Sequence, residues 1–309
     1  MRNTLANKRE FSTVQAARIV ISAGFVKHET PPWRAAKNPQ RFCPPGNTET
    51  FIAHGPLRDT MSAMGRTFVI GDIHGEAAHL QRLLERLPTI ESDYTFVFLG
   101  DYMDRGSDSA RVFETVWSLP SQTRAQVVTL LGNHEEAWLR CLKQPEPGFL
   151  LRPDNGCFAA MQSLMHCEPL SEIELAGLLL NPQRWFPPRL SEWLEKQPLF
   201  YEDDHGIYVH AGLETDGEYW LHPRDSKQRS LLWLRDPEFF RTYRGKRVCF
   251  GHTITRELPV DHLSWFAKIL DDPTDVWFRG DLIGLDTACG KGGYLSAVEL
   301  PSCKIYTSR

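Results

Sequence analysis

Three apolar runs in the first half of the chain are each followed directly by a cluster of polar residues. The pairs of run and cluster are residues 69–70 before 71–75 (GDIHG), 96–99 before 100–106 (GDYMDRG) and 127–131 before 132–135 (GNHE). Apolar runs of this length, rich in β-branched residues, predict buried strands of a sheet covered on both faces. The polar clusters therefore lie where strands end, which is where open α/β sheets place their active sites.

Helical periodicity follows each of these clusters. After Glu76, leucines at positions 80, 83, 84 and 87 fall on one helix face. Residues 109–119 repeat the pattern with Ser107 or Asp108 as the N-cap, and a third helical stretch follows His134. The order of strand, polar cluster and helix occurs three times, which predicts a βαβ succession with a parallel sheet.

The second half of the chain interrupts this order and then returns to strands. Residues 144–205 contain eight prolines around two short predicted helices, one starting at a capping box of Ser171 and Glu174. We expect this helical segment to lie near the substrate entrance. Further strands are predicted at 207–209, 248–250, 282–286 and 294–300, with a glycine-rich turn at 290–293 joining the last two.

Composition limits the classes of protein that fit. The 309 residues are 41% hydrophobic and 24% charged with a formal net charge of −4, which excludes the strong positive balance of a nucleic-acid-binding protein. No apolar run approaches the roughly 18–20 residues of a membrane span. Seven irregularly spaced cysteines without a CxxC pair favour a reduced, cytoplasmic setting. We expect a monomer without nucleic-acid or membrane partners.

Residues 1–60 differ from the rest of the chain because they are rich in basic residues and proline. The stretch from Met61 leads directly into the first predicted strand. We therefore expect a poorly or partly ordered N-terminal extension over residues 1–60 and a catalytic domain over residues 61–309.

Six side chains that follow predicted strands are candidate metal ligands: Asp72, His74, Asp101, Asn133, His210 and His252. The set combines carboxylate, amide and imidazole donors and contains no thiolate. Such donors suit Mn²⁺, Fe²⁺ or Zn²⁺ better than Ca²⁺ or Cu⁺. Six ligands are too many for one catalytic ion that must keep a water site. Six ligands are the number expected for two ions that share one carboxylate.

The three polar clusters, taken together, resemble the signature of the PPP-type serine/threonine protein phosphatases, which are calcineurin-like metallophosphoesterases. The resemblance covers about residues 66–300. Residues 232–236 (LWLRD) and 283–287 (IGLDT) are similar to segments of the bacterial and phage branch, the lambda-phosphatase-like group. The resemblance implies an α/β fold with a metallophosphoesterase-type β-sandwich core, flanked by helices, and a metal site at the strand ends.

The resemblance also implies how two metal ions would be held. Asp72, His74 and Asp101 would bind the first ion, and Asp101 would bridge to the second. The second ion would be completed by Asn133, His210 and His252. Mn²⁺ is the expected metal, with iron or Zn²⁺ as alternatives. Two such ions can hold a bridging hydroxide that attacks the phosphate ester directly.

Four further residues receive roles from the same resemblance. His134 would act as the general acid that protonates the leaving group, and Asp104 would orient it. Arg105 and Arg235 would bind the phosphoryl oxygens, a task that suits the guanidinium fork. Arg235 also has a simpler interpretation, as part of an ordinary surface ion pair within residues 233–236.

Three functions remain open at this point. A serine/threonine protein phosphatase, acting on a phosphorylated protein or small phosphate ester, is favoured. The first alternative is a dinucleoside tetraphosphate hydrolase, a group similar in fold and metals. We expect the second motif of that group to lack the Asp-Arg pair, which is intact here as Asp104 and Arg105. The remaining alternative is a catalytically silent phosphoprotein-binding module, which the complete ligand set disfavours.

Overall fold

The computed structural model describes residues 65–89, 91–259 and 275–309. The expected N-terminal extension over residues 1–60 lies outside the described residues. The strands found within these ranges are β1 (Thr67–Ile70), β2 (Thr95–Phe98), β3 (Gln126–Thr129), β4 (Phe200–Glu202), β5 (Ile207–Val209), β6 (Val248–Phe250), β7 (Trp277–Arg279), β8 (Leu282–Gly284), β9 (Ser296–Leu300) and β10 (Lys304–Thr307).

These strands form two five-stranded sheets with the orders β10-β9-β1-β2-β3 and β4-β5-β6-β8-β7. β1, β2 and β3 are parallel, as the three strand–helix repeats predict. β9 runs antiparallel to β1, and β10 antiparallel to β9. In the second sheet, β5, β6 and β8 are parallel, whereas the edge strands β4 and β7 are antiparallel to their neighbours. Both sheets are therefore mixed: the parallel strands form one side of the first sheet and the centre of the second.

The α-helices within the described ranges are α1 (Ala77–Arg86), α2 (Ser109–Gln122), α3 (Asn133–Lys143), α4 (Cys157–Met165), α5 (Glu172–Leu179), α6 (Pro188–Leu194), α7 (Gln228–Trp233) and α8 (Pro237–Thr242). Asp108 rather than Ser107 caps α2, because its side chain accepts a hydrogen bond from the Arg111 amide at 3.3 Å. The capping box of Ser171 and Glu174 forms at the start of α5. Residues 144–205 hold three α-helices where the sequence predicted two.

The two sheets pack face to face through alternate residues of their strands. Val69 and Val97 of the first sheet share one buried cluster with Tyr208, Cys249 and Ile283 of the second. Alternation along a strand directs the neighbouring residues to the opposite face. The outer face of each sheet must therefore be covered by other elements.

Helices cover both outer faces. Phe68 and Phe96 pack with Leu80 of α1 in the largest core cluster, and Phe250 packs with Phe239 of α8 in another. Burying each such side chain contributes about 1.5–3 kcal/mol. The order of layers is helix, sheet, sheet, helix, which confirms the expected β-sandwich core flanked by helices.

The connection between β8 and β9 differs from the sequence-based expectation. The glycine-rich turn at residues 290–293 joins strands of different sheets, so it passes from one layer to the other instead of closing a hairpin. Within the described residues, no helix is long and apolar enough to cross a membrane, and the six cysteines are unpaired.

Candidate metal centre

Eight of the ten predicted site residues form one buried cluster at the carboxyl ends of the parallel strands: Asp72, His74, Asp101, Asp104, Asn133, His134, His210 and His252. The first sheet supplies the residues that follow β1, β2 and β3. The second sheet supplies the two histidines that follow β5 and β6. Arg105 is partly exposed and Arg235 is exposed at the rim of this cluster.

Asp101 lies at the centre of the cluster. Its Oδ2 is 3.4 Å from Nε2 of His74, and its Oδ1 is 3.5 Å from Nε2 of His210. Two groups of side chains can each hold a cation, one with His74 and His134 and the other with His210 and His252, and Asp101 belongs to both. The arrangement can thus accommodate two cations that share one carboxylate, which the sequence had indicated.

The first group shows atoms that are ready to bind a cation. Nδ1 of His74 lies 3.0 Å from the Met103 carbonyl oxygen, which can only accept, so Nε2 carries the lone pair. Within the described part of the chain, that Nε2 and Oδ1 of Asp72 are buried without a hydrogen-bond partner. Oδ2 of Asp72 is 4.0 Å from Nε2 of His74. A cation would satisfy both unpaired atoms.

His134 differs from the sequence-based expectation in one respect. The sequence placed it beside the ligands as an acid, whereas geometry groups it with His74 and Asp101 as a further possible ligand. One of its ring nitrogens, Nδ1, is occupied by Asp104 at 2.7 Å, so only Nε2 can face a cation or a substrate. The acid and ligand roles compete for this single atom.

The second group converges on the side-chain oxygen of Asn133. Oδ1 of Asn133 is 2.9 Å from Nε2 of His210 and 2.8 Å from Nδ1 of His252. Nδ1 of His210 faces the Leu99 carbonyl oxygen at 2.9 Å, which leaves Nε2 as the donor atom for a cation. Amide oxygen and imidazole nitrogen together suit a borderline divalent ion.

Burial and mutual contact control the charges in this cluster. Burial lowers the pKa of His74, His210 and His252, so these imidazoles are neutral and able to ligate at pH 7. Burial also raises the pKa of Asp72, and the nearby Asp286 and Asp101 carboxylates add to that rise. For Asp101, burial is outweighed by attraction to the His210, His134 and His74 rings in their protonated form and by the hydrogen bond from the His134 amide, so its pKa is lowered. The donor set therefore fits divalent cations.

Asp104 connects His134 to the helix behind it. Oδ2 of Asp104 is 2.7 Å from Nδ1 of His134, and its Oδ1 accepts a hydrogen bond from Nε1 of Trp138 at 2.9 Å. The carboxylate is fully buried, so it is held in one orientation. The sequence assigned Trp138 to the core at helical spacing and missed this contact, which no local pattern encodes.

The two arginines approach the cluster from different sides. Within the described residues, Nε and Nη1 of Arg105 are buried without a hydrogen-bond partner, as expected of a guanidinium that awaits an anion. Arg235 donates from Nε to Nε2 of His252 at 3.1 Å and from Nη2 to its carbonyl oxygen at 3.0 Å. Arg235 also pairs with Glu257 at 3.7 Å on the surface. The surface ion pair of Arg235 is thus formed with Glu257 and not within residues 233–236, and its phosphate-binding role stays a prediction.

Glu135, the last residue of the third motif, supports the site, although nothing in the sequence assigned it a role. Its carboxylate accepts hydrogen bonds from the amides of Asp101 and Tyr102 at 2.9 Å, and from those of Met103 and Gly132 at 3.2 Å. It therefore connects the loop that follows β2 to the start of α3. This contact holds the backbone of the loop that carries Asp101.

Asp286 is a second residue that the sequence quoted without a role. It is buried close enough to Asp72 for its charge to raise the pKa of that carboxyl, and its Oδ2 has no hydrogen-bond partner among the described residues. Burial raises its pKa, and the Arg105 guanidinium opposes that rise. It follows β8, so it belongs to the same edge of the second sheet as the two histidines.

The backbone of the site is strained. Five of the ten predicted site residues are in the left-handed region, with φ between 49° and 70°: His74, Asp101, Asp104, Arg105 and His252. This conformation costs a non-glycine residue about 1–3 kcal/mol and clusters at functional sites. The strain directs side chains from short loops toward a common point.

The chain is similar in sequence to two bis(5'-nucleosyl)-tetraphosphatases. The chain is 28% identical over 222 residues to a symmetrical bis(5'-nucleosyl)-tetraphosphatase of Legionella pneumophila (strain Lens), covering 71% of this chain and 61% of that protein. It is 24% identical over 245 residues to the asymmetrical bis(5'-nucleosyl)-tetraphosphatase PrpE of Bacillus cereus (strain B4264), covering 75% of this chain and 89% of that protein. The chain thus spans less than two thirds of the length of the Legionella relative.

A solved structure shares the fold. A crystal structure described as that of a candidate diadenosine tetraphosphatase aligns with a TM-score of 0.54 and 21% identity, covering 80% of this chain and 94% of the other. The model of the calcineurin-like phosphoesterase family matches residues 65–256, which is more than half of the chain. The protein therefore belongs to the calcineurin-like phosphoesterases.

Proposed function

We propose that this protein hydrolyses dinucleoside tetraphosphates in a reaction that depends on divalent metal ions. The main support is that its relatives in Legionella and Bacillus, which match 71% and 75% of the chain, are both bis(5'-nucleosyl)-tetraphosphatases. The sequence alone favoured a protein substrate because Asp104 and Arg105 are both present. The relatives instead support the alternative that was kept beside it.

The residues that would hold the metal ions are the two groups around Asp101 described above. When bound to these groups, two divalent cations would neutralise the charge of the phosphoryl oxygens and make a water molecule nucleophilic. Asp72 and His74 on one side and Asn133, His210 and His252 on the other are the ligands that we propose. Burial of these side chains keeps the imidazoles neutral and excludes bulk water from the centre.

The arginines provide the anion-binding part of the site. Arg105 has two buried nitrogens without partners in the described structure, so it can bind phosphoryl oxygens without breaking an existing contact. Arg235 is held against His252 by two hydrogen bonds, which places its guanidinium next to the second group of ligands. Together they would orient the phosphate that reacts.

His134 would donate a proton from Nε2 to the departing oxygen. The carboxylate of Asp104 holds the proton on Nδ1 and stabilises the charged ring, and Trp138 holds that carboxylate. A leaving alkoxide needs this proton more than a leaving phosphate does, because an alkoxide is far more basic. The intact pair of His134 and Asp104 therefore favours a second candidate function, hydrolysis of phosphoserine or phosphothreonine esters.

A substrate panel separates these functions. We would strip the protein with a chelator, restore Mn²⁺, Fe²⁺ or Zn²⁺ separately, and compare diadenosine tetraphosphate with phosphoserine and phosphothreonine peptides. We expect kcat/KM for the dinucleotide to exceed that for the peptides. Chromatography would show two ADP for symmetrical cleavage, or ATP and AMP for asymmetrical cleavage. Preferential cleavage of the peptides would refute the proposal, and an absence of turnover with every metal would leave only a binding module.

A further inference from the structure

A cavity of about 830 Å³ lies beside the metal centre, between α3, the loop that follows it and α7. Its volume is in the range of sites that hold small molecules. Phe149 and Trp233 provide aromatic surface, and Arg140, Arg152 and Arg229 provide positive charge. The reaction described above uses none of these five side chains.

The aromatic pair lines the cavity on the side next to the metal centre. The ring of Phe149 is 5.2 Å from the ring of His134 and 4.8 Å from that of Trp233. The ring of Trp233 is in turn 6.2 Å from that of His252. A ligand with one phosphate at the metal centre can therefore extend directly into the cavity.

The charges around the cavity favour an anion. Three arginines face a single acid, Glu136, which lies 3.6 Å from Nη1 of Arg140. Guanidinium groups match phosphate oxygens in geometry as well as in charge. Oε2 of Glu136 is buried and has no hydrogen-bond partner among the described residues, so it can accept from a hydroxyl or amino group of a ligand.

We propose that this cavity binds the nucleoside and outer phosphates of a nucleotide substrate whose reacting phosphate lies at the metal centre. Trp233 is the surface for the base, because Arg152 already lies over the ring of Phe149 at 5.5 Å. Stacking on an aromatic side chain accepts any base. Arg140, Arg152 and Arg229 bind the phosphates that do not react. This inference rests on the proposed function and specifies its substrate-binding site.

The test measures inhibition of p-nitrophenyl phosphate hydrolysis by the metal-loaded protein. ADP and methyl diphosphate carry the same two phosphates and differ only in the nucleoside. We expect ADP to have an inhibition constant at least tenfold lower than that of methyl diphosphate. Trp233→Leu should remove most of that difference. Arg229→Ala should raise the inhibition constants of both compounds, because its target is phosphate.

Arg124→Ala is the matched control. Arg124 is an exposed arginine just before β3, whereas Asn133 follows the other end of that strand. This substitution should change neither inhibition constant nor the hydrolysis rate. The inference is overturned if ADP and methyl diphosphate inhibit the wild type equally. It is also overturned if Arg229→Ala leaves both inhibition constants unchanged. The same holds if Arg229→Ala raises only the inhibition constant of a phosphoserine peptide, which would make the cavity a peptide site.

This assay is independent of the proposed function, because p-nitrophenyl phosphate is a simple ester that reports on the centre alone. If diadenosine tetraphosphate is not cleaved but ADP still outcompetes methyl diphosphate, the proposed function fails and the nucleotide site stands. If the dinucleotide is cleaved and ADP shows no advantage, the nucleotide site alone is wrong.

Discussion

The substitution Asp104→Asn tests whether His134 acts as the general acid. The side-chain oxygen of the introduced amide can still accept the hydrogen bond from Trp138. The amide nitrogen that replaces Oδ2 is a donor, however, and would leave Nδ1 of His134 as an acceptor. The ring then carries its proton on Nε2 as a neutral group. It loses the carboxylate that stabilises its charged form, at a contact of 2.7 Å.

The size of the effect follows from that contact. A hydrogen bond to a charged group contributes about 1.5–3 kcal/mol, which corresponds to roughly 10- to 150-fold in rate. The full loss should appear only with a phosphoserine peptide, because its leaving alkoxide requires a proton. With p-nitrophenyl phosphate or diadenosine tetraphosphate, whose leaving groups are weakly basic, we expect less than about a threefold change.

The assay is kcat for the three substrates at one pH and a saturating metal concentration, with metal content measured for each protein. Trp138→Phe is the control, because it removes one donor to the carboxylate and keeps the contact with His134. An equal loss with all three substrates would show that Asp104 supports the structure of the centre. No loss with the peptide would refute the general-acid assignment.

Three further predictions concern residues around the centre. Arg235→Ala should lower turnover strongly and retain both metals, so a metal content near zero by elemental analysis would contradict its phosphate-binding role. Glu135→Gln should weaken metal binding about 10- to 100-fold in a competition titration, because it loosens the loop that carries Asp101; unchanged affinity would refute this. The raised pKa of Asp286 means that its carboxyl stabilises the metal-free fold least at high pH. In urea unfolding, the unfolding free energy of Asp286→Asn minus that of the wild type should therefore increase as pH rises above about 4, by at most about 1.4 kcal/mol per pH unit; a difference that decreases with pH would contradict this.

Short sequence motifs predicted much of the fold and of the cluster. Residues such as Asp72 and Asn133 directly follow apolar runs, and parallel strands necessarily bring their carboxyl ends to one edge. His210 and His252 were found in the same way, although they come from the other sheet. Their roles as ligands stay predictions until metal is bound.

The remaining features depend on contacts between distant parts of the chain. Trp138 looks like an ordinary core residue, because the carboxylate that it binds is 34 positions away. Glu135 binds amides 32 to 34 residues earlier, and no periodicity reveals that. Strands such as β4 and β7 have three residues each, too few to show an alternating pattern. They become strands because they pair with β5 and β8, which lie elsewhere in the sheet.

The two candidate cation positions take ligands from both layers of the sandwich, which has a mechanical consequence. Asp101 belongs to the first sheet, and His210 and His252 belong to the second. A cation bound to all three would fasten the layers together at one rim, where otherwise only apolar packing and a few hydrogen bonds join them. Chelation should then loosen both layers at that rim at once, and amide exchange there should speed up in β2 and β6 together.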